Sequence, residues 1–200
     1  PGRTNVFDGH PFKVILDYGH NPAAVRAMTD LAAKLEVSGR RICVLAAPGD
    51  RRDEDIREIA RIAGTTFDRL ILRRDDDPRG RGADEVPRLL EAELLATGFD
   101  PSHITVIPDE QAAIDAGLQM ARRGDLLLVF ADAISRSWKQ IIYWKPDADD
   151  AQRARQRPSS APPPPLGSPI TTGKRITEAF AGESVIHDER GVRLARESDD

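Results

Sequence analysis

A single cysteine, Cys43, is all the thiol this sequence holds, so no internal disulfide can staple the chain. It lies between Ile42 and Val44 in an apolar run, where a small thiol is expected as core filler. Such sparing use fits a reducing compartment. Histidine is nearly as scarce: His10, His20, His103 and His187 are scattered without metal-ligand spacing, which argues against a zinc site. No apolar run approaches the roughly 20 residues that a membrane helix needs, and no signal peptide is visible. Positive charge is not in surplus either. The 29 Lys and Arg face 33 Asp and Glu, a net charge of −4 with both signs interspersed. That excludes a general nucleic-acid footprint, and Arg51-Arg52-Asp53-Glu54-Asp55 reads as a solvated face. A cytoplasmic chain with neither nucleic acid nor membrane as partner is expected. The first residue is Pro1 rather than Met, so the natural N-terminus is expected to lie upstream.

What is present is an ordinary globular composition, 40% hydrophobic and 31% charged over 200 residues, enough for one core. Short apolar runs alternate with amphipathic stretches. Lys13 to Asp17, Arg41 to Ala47, Phe67 to Leu72, Ile104 to Ile107 and Asp125 to Ala131 read as strands. Between them, Val25, Met28, Leu31, Ala32 and Leu35 recur at helical spacing after Pro22, a residue suited to a first helical turn. Further helices are predicted from Asp53, as a cap, to about Ala63, from Asp84 to Thr97, and from Asp109 to Arg122. Continuous apolar strands separated by helices predict a doubly wound, mostly parallel α/β sheet covered on both faces. Ligands of such sheets bind beyond the carboxyl ends of the strands. The loops Asp17 to Pro22, Ala47 to Asp53, Arg73 to Gly82 and Asp132 to Trp138 are therefore the ones that can carry chemistry. Trp138, Ile141, Ile142, Tyr143 and Trp144 then form an amphipathic segment, expected to pack on the sheet edge; left exposed, it would mark a partner interface.

Beyond Pro146 the character changes. Residues 147–169, with the run Pro162 to Pro165, read as a Pro-rich linker. Residues 170–200 read as a small tail in which Glu189-Arg190-Gly191 could turn a hairpin. Residues 1–146 are then the folded domain. Across the junction of linker and tail, Gly167 to Arg175 imitates a phosphate-binding P-loop, but it has five residues between its glycines instead of four. Arg175 also stands where a magnesium-holding hydroxyl belongs, and no strand precedes it.

The most informative stretch is Asp17-Tyr18-Gly19-His20-Asn21-Pro22, where the first of these strands meets its helix. A carboxylate there can accept from ribose hydroxyls, His20 and Asn21 can contact a base edge or phosphate, and the helix N-terminus adds backbone donors. Asp17 and Asn21 could equally be helix caps. This stretch resembles the signature that opens the C-terminal domain of Mur ligases and folylpolyglutamate synthases, with Gly19 where alanine is usual. Pro1-Gly2-Arg3 resembles the linker segment of the same family. Two further runs, Gly49-Asp50-Arg51-Arg52-Asp53 and Asp75-Asp76-Asp77-Pro78-Arg79-Gly80-Arg81, resemble loops of cyanophycin synthetases, and the tail Asp188 to Arg196 resembles the end of some of them.

The resemblance implies a Rossmann-like Mur ligase C-terminal domain acting with upstream ATP-grasp and Mur central domains of one polypeptide. The implied chemistry is ATP-dependent. A carboxylate is phosphorylated to an acyl phosphate, and an amine attacks it, joining arginine to the aspartate side chains of a poly-aspartate backbone to give cyanophycin. Arg3, Asp17, His20 and Asn21 would meet ATP. Asp75, Asp76, Asp77 and Arg79 would meet the incoming amino acid, unless they form a solvated acidic turn paired with Arg73, Arg74 and Arg79. Mg2+ would be held mainly by other domains, since no true P-loop or magnesium-holding carboxylate is present, and this piece alone is expected to be inactive. Three alternatives stay open: a relative that polymerises aspartyl-arginine dipeptide, using this domain architecturally; an oligomer contact, a homo-oligomer being expected; and a peptidoglycan or folate ligase.

Overall fold

Alternate residues along the central strands point into two different cores. The computed structural model describes residues 4–145 and the backbone of 184–188 and 191–195. Strand β2 (Lys13–Asp17) buries Val14 and Leu16 in one cluster and Ile15 in the other. β3 (Arg41–Leu45) divides Ile42 and Val44 from Cys43 and Leu45 in the same way. In β6 (Leu126–Phe130), Leu127 and Val129 face away from Leu126, Leu128 and Phe130. Both faces of these strands are covered, so the period-2 alternation sorts apolar residues between two cores rather than between core and water.

One core is roofed by α1 (Pro22–Lys34), α2 (Asp53–Gly64) and α3 (Glu85–Ala96) through Val25, Met28, Ile56, Ile59, Leu90 and Leu94. The other is roofed by α4 (Glu110–Met120) and α5 (Ile134–Tyr143) through Ile114, Leu118, Trp138 and Ile141. Strands β4 (Arg69–Leu72) and β5 (Ile104–Val106) extend the sheet beyond β3. β6 is inserted between β3 and β2, parallel to both. The predicted doubly wound α/β class is what the chain adopts.

Among the described residues the sheet has eight strands in the order β5-β4-β3-β6-β2-β1-β8-β7. β1 (Asn5–Phe7) runs antiparallel to β2, and had no counterpart in the sequence reading, because three residues are too few to show a period. Beyond it, the backbones of β7 (Ser184–Asp188) and β8 (Gly191–Ala195) pair antiparallel with each other, and β8 pairs with β1. The Pro-rich linker and the P-loop imitation lie outside the described residues.

Boundaries move by one or two residues. The second strand of the sequence reading stops at Leu45 and the third starts at Arg69, although Ala47 and Phe67 are buried beyond those ends. Asp53 is not the cap of α2: Arg52 occupies that position, without a side-chain hydrogen bond. Asp53, Glu54 and Asp55 instead crowd the first turn, where the positive end of the helix dipole favours carboxylates. The amphipathic segment after β6 is a helix that begins already at Ile134. It buries Trp138 and Ile141 and leaves Tyr143 74% exposed.

Candidate functional site

The loops that leave the carboxyl ends of β2, β3, β4 and β6 share one rim of the sheet, and every candidate residue among the described ones lies there. Arg3 lies outside the described residues.

At the end of β2, Asp17 is 5% exposed and both its oxygens are engaged. Oδ1 accepts the Gly19 amide at 2.7 Å, and Oδ2 accepts the Thr4 amide at 2.7 Å and the Thr4 hydroxyl at 3.2 Å. Thr4 has a positive φ of 53°, a left-handed conformation that few non-glycine residues adopt. The carboxylate thus ties the β2–α1 turn to the residue that follows Arg3. Gly19 is less exchangeable for alanine than its size suggests: a Cβ there would lie 2.7 Å from the buried ring of Phe130. Asn21 caps α1, its side-chain oxygen accepting the Ala24 amide at 2.9 Å, and its amide nitrogen remains a donor. His20 is half-buried, with Nδ1 3.2 Å from the Tyr18 carbonyl and its ring 5.0 Å from the Tyr18 ring. A neutral imidazole that donates from Nδ1 offers Nε2 as an acceptor.

The β4–α3 loop is exposed from Asp76 to Gly80 but rises from a buried, charged base. Arg73, read from sequence as a surface partner, is 1% exposed, because it follows Leu72 directly out of the buried strand. Its Nη1 and Nη2 form a fork on Asp132 at 2.9 and 3.0 Å. Nε and Nη2 also donate to the Phe130 carbonyl, at 3.2 and 2.9 Å, and Nη2 lies 3.1 Å from Glu110. Glu110, in the first turn of α4, is itself 1% exposed and accepts from the Asp132 amide at 2.7 Å and the Ser137 hydroxyl at 2.9 Å. Arg136 of α5 bridges Glu110 and Asp76, at 2.8 and 2.7 Å. Asp76, Glu110 and Asp132 bring carboxylate oxygens within 4.8 Å of one another, and guanidinium groups already supply the positive charge between them.

Asp75 is 7% exposed and hydrogen-bonds the Asp132 carboxyl. Burial first, then the hydrogen bond and charge of Asp132, push its pKa up to about 6. Burial also works to raise Asp132, but the Arg73 fork outweighs it and holds that group down to about 2. The two carboxyls therefore share one proton across a pH range in which isolated aspartates would both be ionised.

The far end of the same loop is fastened to the β3–α2 loop. Arg81 donates to the carbonyls of Gly49 and Arg51, at 2.7 Å each, and pairs with Asp53 at 2.7 Å. Arg79 pairs with Asp50 at 3.0 Å. A Cβ on Gly49 would sit 2.0 Å from the Pro78 carbonyl oxygen, so the backbones touch where only glycine fits. The two charged runs singled out in the sequence are thus partners of each other. Arg52 pairs with Asp55 at the surface, while the Nε of Arg51 is buried without a hydrogen-bond partner. Arg81, in a run singled out in the sequence, and Asp132 and Arg136, in a loop selected there, had been given no role of their own, and Glu110 was not singled out at all. The available signal was charge at the ends of apolar strands, on the rim where ligands bind.

The rim thus carries a turn able to face a base or phosphate and a braced acidic loop with an exposed Arg79. Residues 2–133 match the family model described as Mur ligase, glutamate ligase domain. The chain belongs to that family. Among its relatives, the cyanophycin synthetase of Geminocystis herdmanii is 37% identical over 141 residues, covering 70% of this chain and 16% of that protein. That of a Synechocystis species is 36% identical over 146 residues, covering 73% and 16%. A UDP-N-acetylmuramoyl-L-alanyl-D-glutamate–2,6-diaminopimelate ligase of Aquifex aeolicus is 30% identical over 156 residues, 78% of this chain and 31% of that one. The match to cyanophycin synthetases therefore spans about one-sixth of their length. A solved structure of a ligase of the diaminopimelate type is 26% identical, with a TM-score of 0.52 over 64% of this chain and 26% of that one. An Escherichia coli FolC in complex with ADP shares the fold at 23% identity, with a TM-score of 0.55 over 77% and 32%. The homologues are ligases, and this domain is of the Mur type that the rim loops resemble.

Proposed function

We propose that this chain is the domain of a cyanophycin synthetase that closes over ATP and the incoming amino acid during isopeptide bond formation. The reading is carried by one juxtaposition: the Asp17–Asn21 turn and the Asp75–Arg79 loop leave the same rim of one sheet. Strand spacing separates β2 and β4 by about 14 Å.

In this reading ATP phosphorylates an aspartate side-chain carboxylate of the growing polymer, and the amine of arginine attacks the acyl phosphate, releasing phosphate. Catalysis of this kind rests on placement and on neutralising phosphate charge. This chain supplies part of both. Nε2 of His20 and the amide nitrogen of Asn21 meet the nucleoside, and Arg3 meets the phosphates. Asp17 acts on the nucleotide through the turn it shapes. Asp77 and Arg79 present a carboxylate and a guanidinium, a pair suited to the ammonium and carboxylate of an α-amino acid. Asp75 and Asp76 brace that loop. Mg2+ and most phosphate contacts belong to ATP-grasp and central domains of the same cytoplasmic polypeptide.

In the intact synthetase, His20→Ala is expected to raise the KM for ATP about tenfold, the loss of one hydrogen bond of ~1.4 kcal/mol, with the KM for arginine unchanged. An unaltered ATP KM would remove the turn from the nucleotide site. Supplying aspartate plus arginine, against aspartyl-arginine, separates stepwise synthesis from dipeptide polymerisation, in which these contacts would be structural.

A further inference from the structure

A fully buried guanidinium is a costly way to end a strand. Desolvation takes several kcal/mol, and paired carboxylates offset it only when every donor is placed. Arg73 meets that demand with Asp132, Glu110 and the carbonyls of Phe130 and Arg74. Apolar replacements of buried ion pairs are often neutral or stabilising, so stability of the sheet alone does not account for the arrangement. What the arrangement does set is the place of Asp132. Its Oδ2 accepts Arg73 Nη1 and, at 2.9 Å, the amide of Asp76, while its carboxyl bonds that of Asp75. From Asp75 the chain of contacts runs onward: Oδ1 accepts the Asp77 amide at 3.4 Å, and Oδ2 faces Arg79 Nε at 3.6 Å. Asp77 in turn accepts the Arg79 amide at 2.9 Å, fixing a backbone in which Arg79 and Gly80 take positive φ of 50° and 88°.

We infer that Asp132 is a positioning residue: anchored by Arg73 and Glu110, it holds Asp77 and Arg79 where the incoming amino acid is received. The inference rests on the assignment of the Asp75–Arg79 loop given under Proposed function. Asp132 stands on the connection between β6 and α5, two strands away from the loop's own strand, and reaches the amino acid only through Asp75 and the Asp76 amide. The charged groups gathered round the Asp75–Asp132 pair come from every neighbouring element: Arg73 from β4, Glu110 from α4, Arg136 from α5, Asp76 and Arg79 from the loop itself, and Asp50, through Arg79, from the β3–α2 loop.

The test uses Asp132→Asn in the intact synthetase, a change that keeps an acceptor for the Asp76 amide but removes the charge on which Arg73 forks. The expected result is a KM for the incoming amino acid raised about tenfold, with the KM for ATP unchanged and kcat within about threefold, the pattern of lost binding rather than lost chemistry. Amide exchange across residues 73–82 should accelerate in the same variant, while the core strands stay protected. Unchanged exchange in the loop of Asp132→Asn would overturn the positioning role. Equal rises in both KM values would overturn it as well. Faster loop exchange with an unaltered amino-acid KM would instead sink the assignment of the loop to the amino acid, and the inference with it.

Discussion

Asp75 carries a proton at a pH where an aspartate in water has lost it, and the sign of its effect on stability follows. Its pKa in the folded chain is raised to about 6. Its contribution is therefore complete below the unfolded value of about 3.9 and disappears as pH rises through 6. Asp132 is the opposite case, held down to about 2, so its contribution appears above the unfolded value and is lost on acidification toward 2. Both act together between about pH 4 and 6. Raising the pH from 5 to 8 is expected to cost on the order of 1–2 kcal/mol in the wild-type chain and markedly less in Asp75→Asn. Thermal melts of both proteins at the two pH values check this; parallel losses would show that the pair does not share its proton. At this scale the sequence was a partial guide. Asn21 was open to reading as a cap, since asparagine ahead of proline and an apolar helix has few other uses. Arg73 was not legible. Nothing local distinguishes an arginine that turns back under the sheet from one that leaves for solvent.

Helices and loops were easier to read than their junctions. The period of Val25, Met28 and Ala32 comes from one-sided burial, a local consequence of α1 lying on a sheet. The runs around Gly49 and Asp75 stood out as unusual loops, yet their mutual clasp needs β3 and β4 side by side, which no short window of sequence contains. Arg81 is the fastener, with two carbonyls of the neighbouring loop and two carboxylates on one guanidinium. Arg81→Ala is expected to loosen both loops and lower the melting temperature by several degrees, the scale of about 1–2 kcal/mol for lost charge-assisted bonds, and Arg81→Lys to recover only part of it, since an ammonium cannot fork. Calorimetry on the three proteins decides the matter; equal melting temperatures would mean that the clasp carries no stability. At the other end of the sheet, His10 Nε2 lies 2.7 Å from the Ile141 carbonyl, in a cluster with Phe7, Phe12 and Trp144. The helix carrying Trp138 thereby closes against the β1–β2 hairpin, with its apolar stripe buried.

The molecule as a whole gathers its candidate residues along one rim, and the proposed function gives that rim only part of a ligase site. Its helix N-termini and loops can face a nucleotide, but no strand-borne P-loop is found among the described residues. The chain alone is expected to bind ATP weakly, with a Kd at or above about the millimolar range typical of a few exposed contacts, and to show no polymer synthesis. On the proposed function, joining it to the other domains of a synthetase should restore both. Calorimetric titration with ATP and an assay of polymer formation test the two halves separately; turnover by the chain alone would refute the division of labour.

Local rules were enough for the kind and order of the main elements, because burial periodicity needs only nearest neighbours in sequence. The insertion of β6 between β2 and β3 was decided by packing, and so were the burial of Arg73 and the meeting of Asp132 with Asp75. Those contacts join residues about 60 positions apart, and an ion buried that deep is tolerable only after the complete sheet has gathered its partners round it.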